Sequence, residues 1–251
     1  MDLNILFPVF NEELRLKNGI ETAWSYLANC GLTIPWKLTI VDNASTDSTS
    51  KIARNLILKY SNIFYMRIPE KGVGAAFRAG VLANTSDIIG YMDIDLSTDL
   101  KNIPLMINIF QKDTNVSIVN ASRYSKKSIL KGRTLARNFI SYTLIILLKL
   151  VFNMKSSDAI CGFKFFKKDC ATNLLKHSST ENGWFLLIEV LLRAERMNYI
   201  IKEIPVTWIY EPHTKVKICK VAKNYIIQIL KLRWDFWKEQ IDPPHRPNSN
   251  K

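Results

Sequence analysis

The first ninety residues of the chain alternate between apolar, strand-like stretches and amphipathic, helix-like stretches. The strand-like stretches are residues 3–9, 36–41, 63–68 and 88–92, and the helix-like ones are residues 13–29, 48–60 and 74–83. Strands that are separated by helices of this length are joined by right-handed crossovers, which place them in parallel. The alternation therefore predicts an α/β fold with a mostly parallel central sheet that helices cover on both faces.

Candidate site residues lie at the end of each of the four predicted strands. They occupy residues 8–12, 42–47, 71–74 and 93–95. Ligands of open α/β sheets bind in the crevice beyond the carboxyl ends of the strands. We expect these four loops to line one crevice.

Two aspartates, Asp93 and Asp95, follow the apolar strand at residues 88–92. Side chains two positions apart in a strand point the same way, so both carboxylates can face one ligand. Mg²⁺ or Mn²⁺ typically takes one or two carboxylates together with substrate phosphate oxygens. The pair predicts such a metal site, and the alternative is a solvated, aspartate-rich loop.

The composition bounds the class of protein. With 251 residues and 47% hydrophobic residues, the chain can form one large domain, alone or with an appendage. Four cysteines without CxxC spacing and three histidines argue against a structural zinc site. We interpret the cysteines as reduced thiols in the cytoplasm, and the first residues lack the pattern of a signal peptide.

The formal charge of +13 predicts an anionic partner: nucleotide phosphates, a lipid surface or nucleic acid. Basic residues are concentrated at 123–137, just before the apolar run 139–152, and at 215–238, where they alternate with apolar side chains. Such segments are typical of helices on an anionic membrane surface, although ordinary helices that bury one stripe remain an alternative. Nucleic acid is not an expected partner.

Neither segment approaches the roughly 20 apolar residues that span a bilayer. We therefore expect peripheral attachment at the cytoplasmic face of the membrane, with a membrane-protein partner as one further expectation.

The predicted division of the chain is a catalytic domain at residues 1–215, a basic amphipathic membrane-surface helix at 216–240 and a disordered tail at 241–251. In the second half of the domain, the pattern predicts strands at 117–121 and 203–210, a turn into another strand at 158–164 and a helix at 184–196.

Several short motifs, in a fixed order, resemble those of family 2 glycosyltransferases with the GT-A fold, a Rossmann-like three-layer fold. They are Pro8-Val9-Phe10-Asn11-Glu12, residues 41–47, Lys71-Gly72-Val73-Gly74 and Asp93-Ile94-Asp95. Further motifs are similar to polyprenyl-phosphate mannose and glucose synthases: Ala121-Ser122-Arg123-Tyr124, Arg137 with Ser141, residues 158–164, Gly183, Trp184 and Glu189, and residues 203–208. The resemblance covers residues 3 to about 218.

The resemblance implies roles for individual residues. Those that would bind the nucleotide-sugar are Pro8, Phe10, Glu12, Val41, Asp42, Asn43, Lys71, Asp93 and Lys215. Arg123, Arg137 and Ser141 would bind the phosphate of a lipid acceptor, and Asp93 and Asp95 would hold Mg²⁺ or Mn²⁺. Asp93, Asp95, Arg123 and Arg137 would together be the catalytic residues. For Lys71, a turn with a solvated lysine is the alternative.

The implied reaction is an inverting transfer of a hexose from UDP-glucose or GDP-mannose to polyprenyl phosphate. A phosphate monoester has a second pKa of about 6, so the acceptor is anionic at neutral pH and requires no strong base. One alternative is direct transfer to a saccharide hydroxyl, with Asp158 or Glu189 as the base. Another is a non-catalytic nucleotide-sugar-binding membrane subunit, since Asn43 and Leu187 stand where the family usually has acidic or amide residues.

Overall fold

The computed structural model describes residues 1–132, 134–210 and 218–241, and in the last range it describes side chains only for residues 223–239. Within these residues the strands are β1 Leu3–Val9, β2 Trp36–Asn43, β3 Ile63–Ile68, β4 Ile88–Met92, β5 Val116–Ser122, β6 Ile129–Lys131, β7 Phe163–Lys167, β8 Ile200–Pro205 and β9 Thr207–Ile209. The helices are α1 Leu16–Asn29, α2 Thr49–Lys59, α3 Val73–Leu82, α4 Asn102–Lys112, α5 Leu135–Phe152, α6 Lys168–His177, α7 Phe185–Arg196 and α8 Ile218–Ile241.

Seven strands form one sheet in the order β3-β2-β1-β4-β7-β5-β8. Only β7 in this sheet runs antiparallel to its neighbours, β4 and β5, within the described residues. The predicted α/β fold with a mostly parallel sheet is confirmed. Because β2 lies on one side of β1 and β4 on the other, the strand order reverses at β1, which is where ligands bind in open α/β sheets.

The core consists of two apolar layers, one on each face of the sheet. Alternate side chains of β1 enter different layers: Leu6 packs with Phe77 and Phe166, whereas Phe7 packs with Leu38 and Phe163. This alternation follows from the two-residue period of a strand. The sheet is therefore the middle layer of three.

The second half departs from its predicted pattern. The single strand expected at residues 203–210 is two strands, because β8 ends at Pro205 in the main sheet and β9 pairs with β6 in a small second sheet. Proline has no amide hydrogen for a ladder, which is consistent with the break at this residue. The helices α4 and α6 were not part of the predicted pattern.

Helix α5 is longer than the apolar run at residues 139–152. It begins at Leu135, after Thr134 at the N-cap, whose side chain accepts a hydrogen bond from the Arg137 amide at 3.4 Å. Its 18 residues are long and apolar enough to cross a membrane by length and composition, with 17% of the helix buried. The expectation that no segment approaches spanning length is therefore corrected for α5.

Helix α8 packs against α5 and α7. Its inner face buries Tyr225, Ile229, Leu232 and Phe236, and the Phe236 ring lies 5.6 Å from that of Phe152 on α5. The described part of this helix is Ile218–Ile241. Residues 211–217 and 242–251, which include Lys215 and almost all of the predicted tail, lie outside the described part of the chain.

Candidate active site

Each of the four loops at the carboxyl ends of β1 to β4 contains one residue with a left-handed backbone. These are Asn11 (φ 54°), Ala44 (φ 68°), Gly72 (φ 137°) and Leu96 (φ 51°). Residues other than glycine rarely adopt this conformation, and where they do the surrounding contacts must hold them there. The four loops therefore share a constrained geometry at one edge of the sheet.

Hydrogen bonds join the first two loops. The Asn11 amide donates to Ser45 Oγ at 2.9 Å, and the Thr46 amide donates to Asn11 Oδ1 at 2.8 Å. These contacts cross between the ends of two neighbouring parallel strands. The predicted crevice thus has one continuous wall.

Asn43 connects this wall to the third loop. Its Nδ2 donates to the Val9 carbonyl at 2.8 Å, and its Oδ1 accepts from the Gly72 amide at 3.1 Å. A carboxylate could accept from Gly72 but could not donate to Val9. The amide at this position is therefore explained by two opposite hydrogen-bonding requirements.

The structure brings Lys71 and Phe10 together. The Lys71 Nζ lies 3.7 Å from the centre of the Phe10 ring, although the two residues follow different strands. Pro8 lies near the end of β1 and is half-buried, whereas the side chain of Val41 is wholly buried in the core. Phe10 and Lys71, which were both predicted to bind the nucleotide-sugar, thus have side chains that meet at this edge of the sheet.

Two other residues that were predicted to bind the nucleotide-sugar have carboxylates that bind groups of the protein itself. Glu12 is bound by both the Nε and the Nη2 of Arg15, at 2.7 and 2.6 Å. Asp42 accepts hydrogen bonds from the Ser45 amide, Ser50 and Tyr65. Burial alone would raise the pKa of Asp42, but these hydrogen bonds outweigh it and lower the pKa. Both carboxylates stabilise the loops.

The amino end of α3 is closed from within the protein. The Asn182 carbonyl accepts hydrogen bonds from the amides of Gly74, at 2.8 Å, and Ala75, at 3.3 Å. A β-carbon on Gly72 would stand 2.0 Å from the same carbonyl oxygen. These amides are therefore engaged by residue 182 and do not form an open anion site.

Asp93 and Asp95 lie at the end of β4, beside β1. Asp93 Oδ1 accepts a hydrogen bond from the Tyr91 hydroxyl at 2.8 Å, and Asp95 Oδ1 accepts one from the Ser97 amide at 3.0 Å. Burial raises the pKa of Asp93 to about 7, and the charge of Asp95 adds to the rise. A bound divalent cation would relieve this repulsion, so the pair fits Mg²⁺ or Mn²⁺.

Arg123 forms a buried ion pair with Asp158. Its Nε donates to Asp158 Oδ2 at 2.7 Å, its Nη2 to Oδ1 at 3.1 Å, and its backbone amide also to Oδ2. Charge and hydrogen bonding from Asp158 raise the pKa of Arg123 despite its burial. The fork of the guanidinium is thus occupied by Asp158, which differs from the expected grip of Arg123 on an acceptor phosphate.

Arg137 and Ser141 are one turn apart at the start of α5. The Arg137 guanidinium lies 5.0 Å from the centre of the Tyr210 ring. Among the described residues, no aspartate or glutamate forms an ion pair with Arg137. Residues four apart share one face of a helix, so the two side chains can meet one ligand.

Comparison with known proteins assigns the family. The model of Glycosyl transferase family 2 matches residues 4–175, which is more than half of the chain. The chain belongs to this family. It is a glycosyltransferase.

Two relatives of this glycosyltransferase are dolichyl-phosphate beta-glucosyltransferases. The protein from Trichomonas vaginalis is 29% identical over 228 residues, covering 88% of this chain and 70% of the relative. The protein from Dictyostelium discoideum is 26% identical over 216 residues, covering 82% of this chain and 66% of the relative. This chain therefore spans about two thirds of the length of these proteins.

A similar solved structure is glucosyl-3-phosphoglycerate synthase from Mycobacterium tuberculosis in complex with UDP. It is 17% identical, with a TM-score of 0.67 over 92% of this chain and 80% of that chain. The same protein in complex with Mn²⁺, UDP and glucosyl-3-phosphoglycerate is 16% identical, again with a TM-score of 0.67, over 92% of this chain and 79% of that chain. At this identity the likeness establishes the GT-A fold of the glycosyltransferase.

The two carboxylates named above as the alternative general base, Asp158 and Glu189, are engaged within the glycosyltransferase. Asp158 binds Arg123 and also accepts from the amides of Ile160 and Cys161. Glu189 accepts from the amide and the hydroxyl of Ser179 and from Arg193 Nε. The side chain of Leu187, two residues before Glu189, is buried in the core.

The structure also adds residues that the sequence did not single out. Tyr91 supports Asp93, Gly162 packs against it, and Lys164 is wholly buried nearby on β7. Gly162 and Lys164 lie within a motif of the resemblance, but a lysine in a short Phe-rich strand gives no signal that it is buried. Asn182 was missed because its contribution is made by a backbone carbonyl.

Proposed function

We propose that this glycosyltransferase transfers glucose from UDP-glucose to polyprenyl phosphate, with inversion at the anomeric carbon. The glucosyl donor and the lipid-phosphate acceptor follow the names of the two dolichyl-phosphate beta-glucosyltransferases that it resembles over more than 80% of its length. The alternative reaction, transfer to a saccharide hydroxyl, differs in one chemical requirement, because it needs a base that takes the proton from the hydroxyl.

The engagement of Asp158 and Glu189 is the observation that carries the proposal. A base that takes a proton from a hydroxyl must have a carboxylate oxygen within reach of the acceptor. Asp158 and Glu189 are both buried, and each binds an arginine and at least one backbone amide. A phosphate monoester with a second pKa of about 6 is already ionised at neutral pH, so it attacks without such a base.

The acceptor phosphate would be bound at the start of α5. Arg137 is a guanidinium without an acidic partner among the described residues, and a guanidinium fork suits a phosphate dianion. Ser141 lies on the same face of the helix. Between and beyond them, α5 exposes apolar side chains that can receive a lipid chain: Phe139, Ile140, Tyr142, Ile146 and Leu150.

The nucleotide-sugar would occupy the crevice at the ends of β1 to β4. Phe10 and Lys71 would contact the nucleotide, together with the backbone of the loops that Glu12, Asp42 and Asn43 hold in place. Asp93 and Asp95 would hold Mg²⁺ or Mn²⁺, with further ligands from diphosphate oxygens and water. When bound, the ion neutralises the charge that develops on the departing nucleoside diphosphate.

The membrane contact would be made by α5 and α8 together. The exposed face of α8 carries Ile226, Ile227, Leu230, Trp234 and Trp237, and basic residues lie beside them at Lys223, Lys231, Arg233 and Lys238. Apolar and aromatic side chains flanked by lysine and arginine suit the interface of an anionic membrane. We place this surface at the cytoplasmic face, with residues 1–215 as the catalytic domain and 216–240 as the membrane-surface helix.

A direct assay tests the proposal. Purified protein is incubated with labelled UDP-glucose or GDP-mannose, and with polyprenyl phosphate, polyprenol or a free saccharide as the acceptor, with and without a chelator. We expect label in polyprenyl phosphate from UDP-glucose only, and none after chelation. Label in the saccharide would support the rival reaction, and tight UDP-glucose binding without transfer to any acceptor would support a non-catalytic subunit. Full activity of the purified chain would show that no membrane-protein partner is required.

A further inference from the structure

Lys164 is the feature of the site that the proposed reaction does not use. It lies on β7 and its side chain is 0% exposed. No ion pair joins it to an acidic side chain in the described residues. A buried ammonium group without a paired carboxylate is costly and is seldom found in a protein core, so its presence calls for a specific role.

The Lys164 ammonium connects a strand with a turn. Its Nζ donates to Asn120 Oδ1 on β5 at 2.9 Å and to the Cys161 carbonyl, just before β7, at 2.7 Å. In the sheet, Lys164 is also the register partner of both Asn120 and Tyr91. It therefore lies between the strand that carries Tyr91 and the strand that precedes Arg123.

Asn120 holds the other end of the same turn. Its Nδ2 donates to the Asp158 carbonyl at 2.8 Å and to Glu203 Oε1 at 3.0 Å. Glu203 Oε2 in turn accepts from the Ser157 amide at 2.9 Å. Lys164 and Asn120 thus fix residues 157–161 at both ends of the turn.

This turn contacts the two charged groups of the site. The Gly162 carbonyl accepts from the Asp93 amide at 3.3 Å, and its α-carbon packs against the Asp93 carboxylate. Asp158 binds the guanidinium of Arg123. A shift of the turn would therefore move both Asp93 and Arg123.

We propose that Lys164 and Asn120 are positioning residues that set the orientation of Asp93 and Arg123 through the turn at residues 157–162. The part of this inference that concerns Asp93 rests on the proposed metal site. Residues behind a metal ligand typically change metal affinity or activity by about 10- to 100-fold when they are replaced. Neither residue contacts the reacting groups.

The test compares Lys164→Met and Asn120→Ala with Asn4→Ala. Asn4 is also a buried asparagine in a central strand, where its Nδ2 donates to Asn84 at 2.9 Å and its Oδ1 accepts from Thr39 at 2.7 Å. It lies near the amino end of β1, at the edge of the sheet opposite the site. Asn4→Ala therefore reproduces the loss of buried hydrogen bonds without touching the turn.

Three experiments are made on each variant. Thermal unfolding gives Tm, electron paramagnetic resonance gives the Mn²⁺ affinity in the presence of UDP, and steady-state kinetics give kcat and KM. We expect all three variants to lower Tm. Only Lys164→Met and Asn120→Ala should weaken Mn²⁺ binding and lower kcat by about 10-fold or more. The double variant should lose no more than the larger single loss, because both act through one turn.

Mn²⁺ affinity and kcat that fall no further than in Asn4→Ala would overturn the proposal. If Lys164→Met does not fold, Asn120→Ala carries the same comparison. Failure of the proposed metal site would give a different result from failure of this proposal, because the wild-type protein itself would then bind no Mn²⁺.

Discussion

Gly162 packs directly against Asp93. A β-carbon on Gly162 would stand 1.8 Å from Asp93 Oδ2 and 2.6 Å from its Cγ. The two residues are 69 positions apart (162 − 93) and lie at adjoining ends of antiparallel strands, since β4 ends at Met92 and β7 begins at Phe163, its register partner. The absence of a side chain at residue 162 is therefore what leaves room for the carboxylate at residue 93.

Gly162→Ala should rotate the Asp93 carboxylate away from its observed position, because real β-carbons do not approach an oxygen at such a distance. We expect kcat to fall by about 10- to 100-fold, as for other changes behind a metal ligand, with a small change in Tm. Steady-state kinetics and thermal unfolding measure both. Gly183→Ala is the control, because its β-carbon would meet only the far end of the flexible Glu181 side chain. Equal activity of both variants would contradict the role of Gly162.

Arg137→Ala should raise the KM for polyprenyl phosphate or lower kcat, while the affinity for UDP-glucose without acceptor stays unchanged. Truncating one partner of a charged hydrogen-bonded pair typically costs about 2 to 5 kcal/mol, which is at least about tenfold. The control is Lys149→Ala, an exposed basic residue in the last turn of the same helix. A joint loss of Tm and donor affinity, with unchanged dependence on acceptor, would indicate a structural role for Arg137.

Leu150→Gln combined with Trp234→Gln should weaken binding to anionic vesicles, because both side chains lie on the exposed faces of α5 and α8. Each basic residue near the surface contributes about 1 kcal/mol, so binding should also fall with added salt. Co-sedimentation with vesicles measures this. Leu58→Gln is the control, since Leu58 on α2 is 86% exposed. If the double variant sediments like wild type, α5 and α8 do not form the membrane contact.

Asp158→Asn should lower the free energy of unfolding at neutral pH by about 3 to 5 kcal/mol, because it leaves the Arg123 charge buried and unpaired. Burial alone would raise the pKa of Asp158, but the charge and hydrogen bonds of Arg123 lower it below 3.8. The carboxylate therefore stabilises the fold above pH 3.8, and this contribution is lost as the pH falls through the lower folded-state pKa. Urea unfolding of both proteins as a function of pH should show their difference narrowing below pH 3.8. A difference independent of pH would contradict this.

Asn43→Asp should weaken UDP-glucose binding and lower Tm. The change removes the donor to the Val9 carbonyl, and a buried group without a partner costs about 1 to 3 kcal/mol. Calorimetric titration with UDP-glucose and thermal unfolding test this. Asn29→Asp, at an exposed asparagine at the end of α1, should change neither quantity. Tighter donor binding by Asn43→Asp would instead indicate that a carboxylate is preferred at this position.

The sequence determined the first half of the fold and the edge at which the site lies. Residues 3–9, 63–68 and 88–92 were predicted with the bounds that the structure has. Apolar periodicity and the residues that end helices and strands are local features, so they can be recognised from neighbouring residues in the sequence. The same information places Phe10, Lys71 and the pair Asp93 and Asp95 at one edge of the sheet.

Only the tertiary structure decided which groups at that edge face a ligand and which support the others. The insertion of β7, antiparallel, between β4 and β5 brings Gly162 against Asp93 and buries Lys164 behind it. The guanidinium fork of Arg123 binds Asp158, which lies 35 residues further along the chain. Strand order and ion-pair partners depend on contacts between residues far apart in the chain, and no local pattern of hydrophobicity or charge encodes them.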